Sequence, residues 1–235
     1  MKSQSKEEAM GLALLIIASS FFFLTHILLS HGRIREGLVS ALGLLGFRAV
    51  YSFISIVPLG AAVWMMIVLE GPEKGAEFWS LSWYGYPVVY LLMLAAFILV
   101  VQSFFNPSPT GMMQERAEVT GILRVTRHPM NMGVALFGLA HLMANGVPAD
   151  LFFFGSLFLT GLIGAYHQDR RKSREKGQEY IEFKNNSSIL PFAGIIIGKN
   201  RLARDEINKT GLIIALVAFA LFFVFHKSLF GSAPF

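Results

Sequence analysis

Met10-GLALLIIASSFFFLTHILL-Ser30 contains no Asp, Glu, Lys or Arg. As a helix rising 1.5 Å per residue it would reach about 30 Å, the thickness of a bilayer's hydrocarbon core. Five further apolar stretches of comparable length follow, at 49–69, 86–105, 129–147, 151–168 and 211–230. Together they predict an all-α polytopic membrane bundle of about six transmembrane helices, in a single domain covering 1–235. Composition agrees: of 235 residues 54% are hydrophobic and 15% charged, against roughly 25% charged in a soluble domain. Lys2 and Lys6 precede the first apolar run, as in a secretory signal. The run is nevertheless too long for an ordinary signal core and no small-x-small cleavage site follows, so a retained first helix is expected.

The basic residues orient these spans. Sixteen of the 20 Lys and Arg fall in three connections, 31–48, 106–128 and 169–210, leaving Lys2, Lys6, Lys74 and Lys227 elsewhere. The positive-inside rule places those connections in the cytoplasm and both termini outside it. The same placement accounts for the net charge of +5 and the pI near 9.6 without nucleic acid as a partner; the expected partner is the lipid bilayer. The absence of cysteine removes disulfides, thiolate-held metals and thiol nucleophiles.

Smaller features refine the outline. Pro58 should bend its helix, and Pro87 suits a helix start. The apolar segment 189–197 is too short to span and should lie at the interface. Helical spacing of charge over 170–184 predicts a helix on the cytoplasmic face. Trp79, Trp83, Tyr84 and Tyr86 cluster where an aromatic belt belongs.

Histidine is the ionisable type placed inside the spans, and an ionisable group in hydrocarbon is costly enough to need a reason. For His226 an interfacial position suffices, for His167 a solvated helix end, and for His31 a helix terminus. His26 and His141 are surrounded by apolar residues. Two imidazoles on facing helices can hold a haem iron axially, or each can bond to a neighbouring helix. In Arg124-VTRHPMNM-Gly133, Pro129 fits a first helical turn, so Arg127 and His128 stand at a helix mouth that attracts an anion or carboxylate; lipid phosphate is the competing partner.

These residues also carry a resemblance. Thr25-His26, Gly46-FRAVY-Ser52, Thr126-Arg-His-Pro129, Leu139-AHLMAN-Gly146, Asp169-Arg-Arg171 and Leu190-Pro-Phe-Ala193 resemble the NnrU family of membrane proteins, over about residues 10–200, with the helix at 211–230 additional. That family includes the 15-cis-zeta-carotene isomerases and bacterial proteins associated with denitrification, and the wording around Phe47 and Leu139 is nearer the latter. The resemblance implies a multi-pass protein of the bacterial inner membrane that binds haem b and is linked to denitrification components and nitric-oxide metabolism. An isomerase-like haem enzyme acting on an apolar substrate is the alternative. It implies His26 and His141 as the metal ligands, with His31 a possible substitute for His26, and Arg127 and His128 as further cofactor-binding residues. Helical rise places His26 about 7 Å and His141 about 20 Å from the cytoplasmic helix ends. One iron therefore requires the Arg-His-Pro end to be sunk, the helices to be tilted, or His128 to replace one ligand. The Arg-His-Pro motif also resembles membrane methyltransferases that use S-adenosylmethionine, although Arg170 and Arg171 stand where those enzymes carry an acidic pair.

Overall fold

The computed structural model describes residues 2–69, 71–106, 108 and 118–231; of the basic residues counted above, Arg116 lies outside them. The described chain is helical and holds no strand, with one isolated bridge between Ser80 and Asn145. Eight α-helices follow in order: α1 Lys2–Ser30, α2 Gly32–Val68, α3 Tyr86–Phe105, α4 Pro129–Ala144, α5 Pro148–Lys176, α6 Gln178–Asn185, α7 Ala193–Ile196 and α8 Lys209–Phe230. Five of them, α1, α2, α3, α5 and α8, are long and apolar enough to cross a membrane. The protein is thus a polytopic helical bundle, as the charge-free stretches predict.

Three local outcomes differ from the sequence reading. The stretch 31–48, expected as a connection, is helical and continuous with the second span. At 37 residues α2 exceeds any single crossing. It is interrupted at Gly43, whose φ of 70° lies in the left-handed region that glycine tolerates. That break, rather than Pro58, is where helical geometry fails. The charged helix expected over 170–184 is shared between the end of α5 and α6, separated at Gly177. The fourth span is a helix of only 16 residues, about 24 Å long and shorter than the bilayer core.

Principal contacts place the helices in the order α8, α3, α4, α5, α1, α2. The short α4 is held from both sides by close backbone approach. A Cβ on Gly133 would stand 2.9 Å from the Ala96 carbonyl of α3, and one on Gly138 2.6 Å from the Phe154 carbonyl of α5. Small residues at such seams are how membrane helices gain dispersion contact when lipid is as apolar as they are. One apolar cluster, around Leu15, Ala62, Phe153 and Phe154, joins α1, α2 and α5. A second, around Leu99, Ile122, Met132 and Ala165, joins α3, α4 and α5 toward the basic end. The last helix is attached more thinly: Asn208 caps α8 through the Gly211 N–H, and its carbonyl accepts from Gln102 at 2.8 Å. At the opposite end Trp83 and Tyr84 are strongly exposed, as an aromatic belt requires.

Replacing Gly138 by Val should force α4 from α5, lowering stability by about 1–3 kcal/mol or more. Gly155→Ala, where an added Cβ meets open space, should leave the detergent-solubilised protein's thermal midpoint nearly unchanged. Equal effects of the two substitutions would remove the seam as the cause.

Candidate functional site

Two polar constellations lie inside this apolar frame. The first forms where α4 begins. Pro129 opens α4 and keeps the residue before it out of helical conformation, so the chain turns at His128 (φ −123°, ψ 60°). That turn is pinned to the segment 187–192: Arg127 N–H donates to the Ser188 carbonyl, Phe192 N–H to the Val125 carbonyl, and the Thr126 hydroxyl to the Ile189 carbonyl. Arg127 and His128 are therefore buried beneath this segment rather than lying at an open mouth.

The carboxylate that the helix mouth was expected to attract is the chain's own Asp169. Arg127 donates to it through Nε at 3.0 Å and Nη2 at 2.5 Å, and Arg127 Nη1 donates to the Ser187 carbonyl at 3.1 Å. His128 Nε2 lies 2.7 Å from Asp169 Oδ1, its Nδ1 3.2 Å from the Gln168 carboxamide, and Tyr180 Oη donates to Asp169 Oδ1 at 2.8 Å. Burial pulls the His128 imidazole below its ordinary pKa, with the Asp169 hydrogen bond opposing. Both ring nitrogens face oxygen acceptors, Asp169 Oδ1 and Gln168 Oε1, so these two hydrogen bonds favour the protonated ring while burial favours the neutral one. Burial, and then the Asp169 charge, push the Tyr180 phenol well above its usual value, so it remains a donor. The cluster thus holds the Arg127 guanidinium and the Asp169 carboxylate in mutual contact, with the His128 ring and the Tyr180 hydroxyl as the carboxylate's further donors.

Beside it, Glu206 closes the turn that starts at Gly121, accepting from the Gly121 N–H at 2.8 Å and from Arg124 Nε and Nη2 at 2.7 and 2.6 Å. The Arg124 hydrogen bonds, and next the Gly121 N–H, hold the Glu206 carboxyl down to about 2.

The second constellation is His26. Its Nε2 is 2.7 Å from Tyr51 Oη and its Nδ1 3.4 Å from Ser55 Oγ, both hydroxyls on α2. His141, by contrast, is nearly buried on α4: its Nδ1 is 3.0 Å from the Phe137 carbonyl and its ring stacks on Phe154 with centroids 4.0 Å apart. The structure does not bring these two histidines together. Ser30 of α1 meets His167 of α5, so His26, one turn earlier, lies about nine residues along α5 from Phe154, roughly 13 Å in height. Helix α5 also packs between α1 and α4. As a pair, His26 and His141 do not fit one haem iron in this arrangement, and His128 is committed to Asp169. His31 faces His167 edge-on with centroids 5.8 Å apart, and His226 packs on Phe230.

A bundle of apolar helices with ionisable groups held inside it is an integral membrane protein whose polar residues must be paired to persist. The chain belongs to the NnrU family: residues 14–234 match the family described as NnrU protein, the last helix included. Among curated relatives it is 28% identical over 166 residues to 15-cis-zeta-carotene isomerase, chloroplastic, of Arabidopsis thaliana, and 29% identical over 168 residues to the protein of that name from Zea mays. Each match covers 68% of this chain and 44% of the relative, so the chain aligns with less than half the length of either. No solved structure matches.

Asp169, Tyr180, Tyr51 and Ser55 are the functional-site residues that sequence reasoning did not assign. Asp169 had a usable signal: it is the first acid after the charge-free stretch 151–168, and a carboxylate there needs a cation.

Asp169→Asn strands the buried Arg127 charge and should cost about 3–5 kcal/mol. Tyr180→Phe, which removes one donor and keeps the ring, should cost about 1 kcal/mol. Thermal unfolding in detergent checks the ranking, and a neutral Asp169→Asn would mean the pair is not what fixes this end.

The Glu206 contacts should add stability above the carboxyl's unfolded value, about 4.3, that is lost as pH falls from there through about 2. Glu206→Gln should therefore lower the midpoint at pH 7 and converge with the parent protein near pH 2. Parallel curves throughout would exclude the linkage.

Proposed function

We propose that this protein carries out isomerase-type work on an apolar molecule dissolved in the bilayer. The carrying observation is the His26–Tyr51 pair: an imidazole and a phenol 2.7 Å apart, half buried, on two helices whose neighbouring side chains Leu24, Leu28 and Phe53 are more than half exposed. A lipid-dissolved substrate reaches such a pair sideways, without passing a polar surface. With His26 Nε2 as the donor to Tyr51 Oη, the phenol proton can pass to one carbon of a substrate C=C bond, breaking O–H and the π bond and forming C–H. After rotation about the resulting single bond the proton returns to the phenolate, and phenolate and carbocation together add no net charge to the hydrocarbon. The carotene isomerases among the relatives support the same kind of substrate and reaction.

A second reading is a haem b protein of the bacterial inner membrane serving denitrification and nitric-oxide metabolism, with the basic end in the cytoplasm. It is favoured by the setting of His141. Donation from Nδ1 to the Phe137 carbonyl leaves the ring's lone pair on Nε2, the arrangement in which imidazoles ligate iron, and Phe154 and Phe137 wall the ring. On this reading His141 acts without His26, and a haem held there would supply a one-electron centre able to bind nitric oxide.

Absorbance spectra of the purified protein, oxidised and reduced, separate the two. The haem reading expects a Soret band that His141→Ala abolishes and His26→Ala retains; a colourless, folded protein removes it. The isomerase reading expects conversion of a cis-carotene in mixed micelles, followed by chromatography of the isomers, to fall about 100-fold or more in Tyr51→Phe. Unchanged conversion in that variant, or none in the parent protein, would overturn it.

A further inference from the structure

The basic end contains a cavity of about 340 Å³ between the α1–α2 junction and the last turns of α5. Four arginines, Arg33, Arg170, Arg171 and Arg174, and two histidines, His31 and His167, form most of its wall, and no carboxylate lines it. Nearby acids neutralise only part of this charge. Glu36 lies 3.7 Å from Arg174, and Glu175 lies 3.6 Å from Arg171 and 3.7 Å from Arg35. Among the described residues Arg33 and Arg170 make no ion pair, whereas Arg171 turns its Nε toward Glu175.

The backbone adds to the same field. Helix α2 begins at this cavity with His31 as its N-cap residue, and no side chain caps its first N–H groups. A helix start of this kind carries partial positive charge and outward-pointing donors. Gly32 lines the cavity too, and a Cβ there would collide with the Arg174 guanidinium. Glycine is what lets that group lie across the helix start. Guanidinium forks and open backbone donors converging on one volume match the oxygens of a tetrahedral oxyanion.

We propose that this cavity binds a phosphate group. The phosphate is supplied by the headgroup of an anionic lipid or by a free phosphate ion, and the surroundings favour the lipid. Leu28, Ile34 and Tyr166, sequence neighbours of the lining residues, are outward and exposed, so acyl chains would run along apolar surface while the headgroup enters the arginines.

The test uses the full chain, delipidated in detergent, and native mass spectrometry with dioleoyl phosphatidic acid or dioleoyl phosphatidylcholine as the probe. Thermal midpoints in sodium phosphate against sodium chloride at matched ionic strength report on the free ion. Phosphatidic acid should be retained in preference to phosphatidylcholine, and retention should weaken roughly 30-fold when Arg33→Gln and Arg170→Gln are combined, two exposed positions at the fold-change expected per basic residue. The control variant combines Lys199→Gln with Arg201→Gln, the same charge removed elsewhere on the basic end, and should bind as the parent does. A midpoint raised by phosphate alone, and lost in the same arginine variant, would assign the site to the free ion. Equal retention of the two lipids with no effect of phosphate would overturn the proposal, as would equal loss of binding in the arginine and control variants.

Discussion

The pairing of Arg127 with Asp169 is the constraint around which the basic half of this protein is arranged. Neither charge could remain buried alone, because the desolvation cost of each is met only by the other and by the surrounding donors. The requirement reaches well beyond the two residues. It fixes the start of α4 below the surface, holds the level at which α4 meets α5, and draws α6 inward through Tyr180, while Arg127 and Thr126 tie the 187–192 segment over the top. Such a junction gives fixed geometry rather than large net stabilisation, since a well-packed apolar substitute for the whole group would fold about as favourably.

That arrangement also separates the histidines. Because α4 starts low and is short, His141 sits far from the basic end, whereas His26 lies one turn from the α1–α2 junction. Each has acquired neighbours suited to its level: hydroxyls from α2 for His26, and a carbonyl with two phenylalanine rings for His141. Two imidazoles in one membrane bundle can therefore have distinct chemical roles.

The spans were legible because freedom from charge over some 20 residues is a one-dimensional property. Height along the bundle was legible for the same reason, since helical rise alone separates His26 from His141 by about 13 Å. The partner of Arg127 was not, because Asp169 lies 42 residues away and the pairing exists only after α4 and α5 have packed antiparallel. Helicity before Gly43 was hidden differently: Arg33, Arg35 and Arg48 make 31–48 read as a connection, whereas the chain is helical on both sides of the break at Gly43. Tyr51 stands within the quoted motif 46–52, but its contact with His26 exists only once α1 and α2 have packed together.

The thin attachment of α8 bears on how the molecule is made. Its aromatic side chains meet α3 in one seam, Phe219 against Phe97 and Phe223 against Tyr90, and the Gln102–Asn208 bond closes the seam at one end. During synthesis this helix leaves the ribosome after α3, α4, α5 and α1, which can already have settled against one another. Assembly can therefore finish with a lateral docking step in the plane of the lipid, which adds a wall to a core that already stands.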